Sequence, residues 1–265
     1  LSRVAVIGPS SLLTTGGCLA RRSDDGGTTF TRLAFSANES ACSSGVAATS
    51  FPLPAVGLLL LRDGTVLATN DGGATFSRRT DVPLPSPGFV ATDLVMTSPT
   101  VGFASTSAGV IARTADGANS WSPVLNVPTA TVTGITFADT TTAYATSAVG
   151  VHKSIDGGLT WTLLPASGTL ANLERIRCAD PSLCIATTRD GASLVRTPDG
   201  GTTFAAVTPV SGGVRGVGFF SPTRVVAVGL QGRTVVSDDG GVTWRPIGRR
   251  LNKVMSNLRA NPNGL

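Results

Sequence analysis

The stretch SDDGGVTW at residues 237–244 decides how the rest of the chain is read, because the same octapeptide pattern occurs five more times. It stands as SDDGGTTF at 23–30, TNDGGATF at 69–76, TADGANSW at 114–121, SIDGGLTW at 154–161 and TPDGGTTF at 197–204. The shared form is Ser/Thr-x-Asp-Gly-Gly-x-Thr-Phe/Trp. Its central aspartates Asp25, Asp71, Asp116, Asp156, Asp199 and Asp239 are separated by 46, 45, 40, 43 and 40 residues. A fixed step of about 40–45 residues is that of a four-stranded propeller blade.

Each residue type in the octapeptide has a task in a tight β-turn. Asp accepts backbone N–H bonds as in an Asx-turn, glycine permits positive φ, the Ser and Thr hydroxyls bond locally, and the closing aromatic enters the apolar layer. The third copy carries Ala118 where the others have their second glycine. Asn119 is therefore expected to take the left-handed conformation there, and that turn to be the least regular.

Around the last octapeptide, residues 214–247 divide into four alternating runs, 214–220, 223–229, 232–237 and 243–247, a meander with the octapeptide in its third turn. VTGITFA, TAYATS, GVHKS and TWTLL divide 132–164 in the same way. The first octapeptide begins only 23 residues in, and SRVAVIG at 2–8 aligns with TRVVAVG at 223–229, a second strand. The expectation is that the first blade lacks its innermost strand and that the C-terminal segment, VMSNLRANP at 254–262, supplies it. This would close a ring of six blades and remove free sheet edges; a truncated seven-bladed ring is the alternative. Residues 1–265 read as one all-β domain.

Composition agrees with that reading. Charged residues are 14% of the chain, with Gly 32 and Pro 16. Glu39, Glu174, Lys153 and Lys253 are the only Glu and Lys residues, so the side chains that normally clothe helices are nearly missing and a helix-rich enzyme is excluded. No apolar run approaches the roughly 20 residues of a membrane helix, and FPLPAVGLLLL at 51–61 is interrupted by two prolines. The chain opens on Leu1 without a secretory leader pattern, which reads as a processed or trimmed form. A single histidine, His152, excludes zinc sites built on several imidazoles and reads as an ordinary surface or half-buried side chain. No metal or cofactor is expected.

Four cysteines bear on the compartment. Cys178 and Cys184 flank the turn-like ADPSL between two apolar alternations, a spacing a disulfide can span across a short hairpin. Cys18 then pairs with Cys42 by elimination. Two disulfides imply an extracellular or cell-envelope location.

The octapeptide resembles the Asp-box, or bacterial neuraminidase repeat, found in sialidases, xyloglucan-degrading glycosidases, the sortilin family and the photosystem II stability and assembly factor family. CADPSLCIATT at 178–188 is similar to disulfide-stapled hairpins in propellers of the assembly-factor type. The resemblance implies a β-propeller whose boxes lie at the third-to-fourth strand turn, away from the face that bears active sites. It carries the six box aspartates over as structural residues only.

Catalysis finds little support. A sialidase-like site needs an arginine cluster, a Tyr nucleophile with a Glu partner, and an Asp acid/base. Tyr144 falls in a second strand, both glutamates lie in other blades, and the Phe/Tyr-Arg-Ile-Pro signature is missing. A two-carboxylate glycosidase needs its pair within about 5–9.5 Å. Asp63 and Asp190 are the matched candidates, each in an Arg-Asp-Gly turn between second and third strands, opposite the boxes. Belonging to blades two and five, they are expected to stand too far apart.

Lys and Arg total 21 against 16 acids, a formal charge of +5. Nearly all the cations are arginines, which suit bidentate contact with carboxylate, sulfate or phosphate. Arg78 and Arg79 follow the second box and Arg249, Arg250 and Lys253 the sixth, which predicts an anion-attracting rim on the face opposite the boxes. No aromatics are interleaved with these cations, so nucleic acid is not an expected partner. The connection SRRTDVPLPSPG at 77–88 is the candidate recognition insertion. The sequence thus reads as a non-catalytic, exported, monomeric binding or assembly module for a protein or an anionic glycan, the alternative being a glycoside hydrolase.

Overall fold

The computed structural model describes residues 3–33, 44–83, 88–128, 130–165, 170, 172–207, 213–229 and 234–247. Its chain forms two compact units, one running to Val132 and the other starting at Thr133. Each holds three four-stranded antiparallel sheets in which consecutive strands are neighbours. The first unit contains β1 (Arg3–Val6), β2 (Leu12–Gly16), β3 (Leu19–Ser23) and β4 (Thr31–Leu33), then β5 (Val46–Ser50), β6 (Gly57–Leu61), β7 (Val66–Thr69) and β8 (Ser77–Arg78). Its third sheet is β9 (Ala91–Met96), β10 (Gly102–Thr106), β11 (Val110–Thr114) and β12 (Ser122–Asn126).

The second unit begins with β13 (Val132–Phe137), β14 (Ala143–Ser147), β15 (Gly150–Ser154) and β16 (Thr162–Leu163). β17 (Leu173–Cys178), β18 (Cys184–Thr188), β19 (Leu194–Thr197) and β20 (Ala205–Val207) follow. The last sheet is β21 (Val214–Phe219), β22 (Val225–Gly229), β23 (Thr234–Ser237) and β24 (Arg245–Pro246). No α-helix occurs among the described residues, and none of them forms a helix long and apolar enough to cross a membrane.

Burial falls from the second strand to the fourth. GLLLL of β6, GFAST of β10 and AYATS of β14 are buried throughout, whereas β8, β16 and β24 are exposed at both residues. The two-residue side-chain period divides the leucines of β6 between two layers. Leu58 and Leu60 pack with Ala48, Val66, Leu94 and Met96, while Leu59 and Leu61 pack with Ile7, Leu13 and Leu67.

The octapeptide is the turn between third and fourth strands in all six sheets. In the first box, Ser23 Oγ donates to Asp25 Oδ1 at 2.7 Å and accepts the Gly27 N–H at 2.8 Å. Asp25 accepts the Thr29 N–H at 2.9 Å and the Thr29 hydroxyl at 2.6 Å. Asp71, Asp156, Asp199 and Asp239 repeat these bonds, and Asp116 makes them with Ser120. Four hydrogen bonds from hydroxyl and N–H groups favour the ionised carboxyl, so every box aspartate lies well below its ordinary range, Asp116, Asp156 and Asp199 at about 2. The first box glycine also donates to the turn between first and second strands of its own sheet, as Gly26 does to Ser10 and Gly200 to Ser182, each at 2.8 Å.

Three sequence expectations are corrected. β1 is the innermost strand of the first sheet, pairing Arg3 with Thr15 and Val6 with Leu12, so that sheet has four strands without the C-terminal segment. The first box begins 20 residues after the start of β1, close to the 22 that separate the start of β13 from the fourth box, so a full inner strand precedes it; residues 254–262 lie outside the described residues. In the third box Ala118, not Asn119, takes the left-handed conformation, at φ 70°. Its N–H must meet Thr114 Oγ1, at 3.0 Å, while the Asn119 and Ser120 N–H groups bond Asp116. Finally, the closing aromatics are not uniformly buried: Phe76 is 9% exposed and Phe30 is 41% exposed.

The two box glycines answer to different constraints. A Cβ on Gly26, at φ +70°, meets nothing within 4 Å, whereas on Gly201, at φ +93°, it would overlap Leu164 Cδ1. Gly26→Ala is expected to cost about 1–2 kcal/mol, the left-handed penalty alone, and Gly201→Ala about 1 kcal/mol more, since the half-buried Leu164 side chain must shift its methyl. Chemical denaturation of both variants checks this; equal losses would refute it.

Candidate functional site

At the end away from the box, the turn between second and third strands meets the start of a following first strand, as Gly17 accepts the Val46 N–H, Arg62 that of Ala91 and Gly191 that of Val214. In the second unit this arrangement concentrates arginine. Arg189 and Asp190 occupy the turn from β18 to β19, and the Arg189 N–H bonds the Asn172 carbonyl at 2.7 Å just before β17. Asn172 holds φ 71°, unusual for a residue other than glycine. Gly191 accepts the Val214 N–H at 2.7 Å, and a Cβ on Gly191 would crowd the Val214 carbonyl oxygen, 2.7 Å away.

Bulges interrupt the first strands of the two sheets at this end. The register of β21 slips between Val214 and Gly216, taking Arg215 out of the ladder, and Arg215 Nη1 donates to the Arg189 carbonyl at 2.6 Å. An equivalent slip in β17, between Leu173 and Arg175, frees Glu174. Glu174 Oε2 is buried with no hydrogen-bond partner among the described residues. Arg175, Arg189 and Arg215 thus stand with Glu174 and Asp190 at one end of two adjacent sheets. Asp190 is held below the usual carboxylate range by the Thr188 hydroxyl, then by the Ala192 N–H, with the Arg215 charge adding to both. It is an ionised brace of its turn, unsuited to proton donation near neutrality.

The residues expected from sequence are distributed otherwise. Asp63, in the first unit, accepts the Thr65 N–H at 3.0 Å and braces its own turn as Asp190 does. Arg78 lies within β8, opposite Leu67, not in the connection that follows, and pairs with Asp81 at 2.5 Å. Arg79 reaches back to the third box, Nη1 standing 3.5 Å from Asn119 Oδ1. Both side chains are thus engaged, Arg78 in an exposed ion pair and Arg79 at a seam between sheets. Arg249, Arg250, Lys253 and Glu39 lie outside the described residues.

Tyr144 is buried, its hydroxyl donating to the Pro181 carbonyl at 2.7 Å, and desolvation pushes it up to about 12. It is a structural tether, not a nucleophile. Cys178 and Cys184 form a disulfide across the first hairpin of their sheet. Cys18 is disulfide-bonded, and its expected partner Cys42 lies outside the described residues. No group of three His, Cys, Asp or Glu capable of holding a metal occurs among the described residues.

Comparison with known proteins places the fold. Residues 235–246 match the family model described as BNR/Asp-box repeat. A solved structure titled YCF48 bound to D1 peptide shares 19% identity over 92% of this chain and 80% of its own, with a TM-score of 0.73. YCF48 from Cyanidioschyzon merolae shares 20% identity over 95% and 85% of the two chains, with a TM-score of 0.71. The GH74 enzyme of Niastella koreensis gives 17% identity and a TM-score of 0.73 over 92% of this chain but only 44% of that one. No curated protein matches. The six four-stranded sheets are the blades of a β-propeller. Within that class the chain carries the Asp-box pattern six times, one copy of it matched by the family model.

Sequence reasoning overlooked Arg175, Arg189 and Arg215 because they lie far apart in the chain. The signal that would have found one of them is positional: Arg215 occupies the same second place in its first strand that Glu174 holds in β17 and Ala47 in β5, each beside a bulge.

His152 supplies a pH test. It is buried in β15, Nε2 lying 3.0 Å from the buried Ser147 hydroxyl, and burial depresses it below its ordinary 6.5. The unfolded chain therefore binds the proton more readily, so stability is fully present above pH 6.5 and declines as pH falls below it. The box aspartates add their own loss only below their ordinary 3.8. Thermal melts from pH 7.5 to 5 should show the first decline in the wild type and not in His152→Gln; a flat wild-type profile would contradict the assignment.

Proposed function

We propose that this chain is a single-domain, non-catalytic binding or assembly module that works outside the cell or in the cell envelope. Its partner is a protein segment or an anionic glycan. The observation that carries the reading is the contact between Arg189 and Arg215, one in a turn tied by backbone hydrogen bonds and the other on a bulged strand. Guanidinium groups on a rigid frame suit carboxylate or sulfate recognition, because little side-chain freedom remains to be lost on binding. A protein partner has added support from the similar structure whose title names a bound peptide. The disulfide supports the exported setting. Arg249, Arg250 and Lys253 are proposed as a second basic contribution from the C-terminal segment.

Retention of acidic peptides with free carboxyl termini and of sulfated or uronic-acid glycans, measured at 50 and 300 mM salt as chosen conditions, tests this reading. Binding should be salt-sensitive and should weaken about tenfold or more in Arg189→Ala/Arg215→Ala, the scale of a lost charge-assisted contact. Arg249→Ala/Arg250→Ala measures the second contribution. Retention untouched by both double variants, or none at low salt, would remove the proposal.

A further inference from the structure

A second repeated contact closes the seams between sheets within each unit. Arg22 of β3 donates from Nη1 to the Gly72 carbonyl at 2.8 Å. Lys153 of β15 donates to the Gly200 carbonyl at 2.9 Å, and Arg196 of β19 donates from Nε to the Gly240 carbonyl at 2.8 Å. All three cations occupy the residue immediately before a box, and all three acceptors are the first glycine of the following box.

Ala68 stands in that place in β7, before the second box. Its short side chain cannot reach the third box, and a cavity of about 100 Å³ lies there, lined among others by Ala68, Pro99, Asp116, Gly117, Asn119 and Arg79. A Cβ on Gly72, Gly200 or Gly240 would meet the bridging cation within 3.8 Å, whereas on Gly117 its neighbour inside 4 Å is the Pro99 carbonyl oxygen at 3.4 Å. The seam therefore keeps the acceptor side of the repeated contact but has no cation in the place before the box; the cation it does hold, Arg79, follows β8 and stands by Asn119.

We propose that this cavity binds a guanidinium group, carried either by an arginine side chain of another protein or by a small guanidino compound. Room for about three waters at ~30 Å³ each is the scale of a planar group of four heavy atoms. The chemistry favours a cation over an anion. Nearby N–H groups are spent internally, Gly117 on Thr100 and both Asn119 and Ser120 on Asp116. The wall also carries the negative charge of Asp116, whose oxygens already accept from Thr114, Asn119 and Ser120. Arg79, the one cation on the wall, is held at 3.5 Å from Asn119 Oδ1, and the Asp116 charge opposes its repulsion of an incoming guanidinium.

Titration of the whole chain with agmatine, with the peptide acetyl-Gly-Arg-Gly-amide and with its uncharged citrulline analogue, followed by amide NMR, tests the site. Agmatine or the arginine peptide should shift Gly117 and Asn119, and the citrulline peptide should not. Tighter binding of the peptide identifies a protein arginine as the occupant, and tighter binding of agmatine a free guanidino compound. Ala68→Arg, which installs the missing cation, should weaken binding at least about tenfold and raise the melting temperature. Ala68→Leu fills the space without a charge and should also block binding, which covers the case in which the arginine variant does not fold. Unchanged binding in the folded variants, no shift at Gly117, or a shift there with acetate instead of agmatine would overturn the proposal.

Discussion

The bond from the first box glycine to the carbonyl of the first-to-second strand turn is the constraint on which each sheet depends. It recurs in all six sheets, from Gly26, Gly72, Gly117, Gly157, Gly200 and Gly240, at 2.7–2.9 Å. β8, β16 and β24 pair with their neighbours through only two residues each, too few to hold an exposed strand against the entropy of ordering it. The box supplies what the ladder lacks. Its Ser or Thr, Asp and following Thr close a ring of short hydrogen bonds, and the glycine N–H fastens that ring to the inner half of the sheet. Positive φ at both glycines is a consequence, since only that backbone path turns the N–H groups inward.

That dependence explains which parts of the fold were legible. Six octapeptides carry both the period and the turn chemistry, so sheet number, strand order and box location followed from local residue types. The first sheet was misread because SRVAVIG and TRVVAVG look alike as β-strands, and alternation of apolar residues does not distinguish an inner strand from its neighbour. Ala118 was misread for a different reason. A steric preference for Asn over Ala in left-handed backbone is a matter of ~1 kcal/mol, and the fixed hydrogen-bond demand of Thr114 and Asp116 outweighs it.

Surface function was less legible, and for a physical reason. Turn-forming residues are chosen by local geometry, whereas the arginines that share a surface come from bulges and turns of different sheets. A bulge moves one residue out of register without leaving a composition signature, so Glu174 and Arg215 look in sequence like ordinary members of an alternating strand. Arg78 and Arg79 misled in the opposite direction. Adjacent in the chain, they point to different partners, Asp81 and Asn119, because successive side chains of an extended segment leave on opposite sides.

Repetition itself sharpens the remaining inference, since six copies of one design make each departure interpretable against the others. Departures gather at one seam. Ala68 replaces a cation, Arg79 stands where the other fourth strands place Leu33, Val124, Leu164, Val207 and Ile247, and Ala118 replaces glycine. Trp121 belongs to the same set: its Nε1 donates to the Thr80 carbonyl at 3.3 Å across the seam, whereas Trp161 and Trp244 bond the second glycine of their own boxes. An isolated substitution in a repeat is readily neutral, but Ala68 and Arg79, which both line one cavity, alter the same contact together. At this seam the cation before the box is gone, a cavity lies beside the acceptor glycine, and Arg79 stands on its wall. Selection for stability alone would refill such a space, because Arg22, Lys153 and Arg196 show how little is needed to do so.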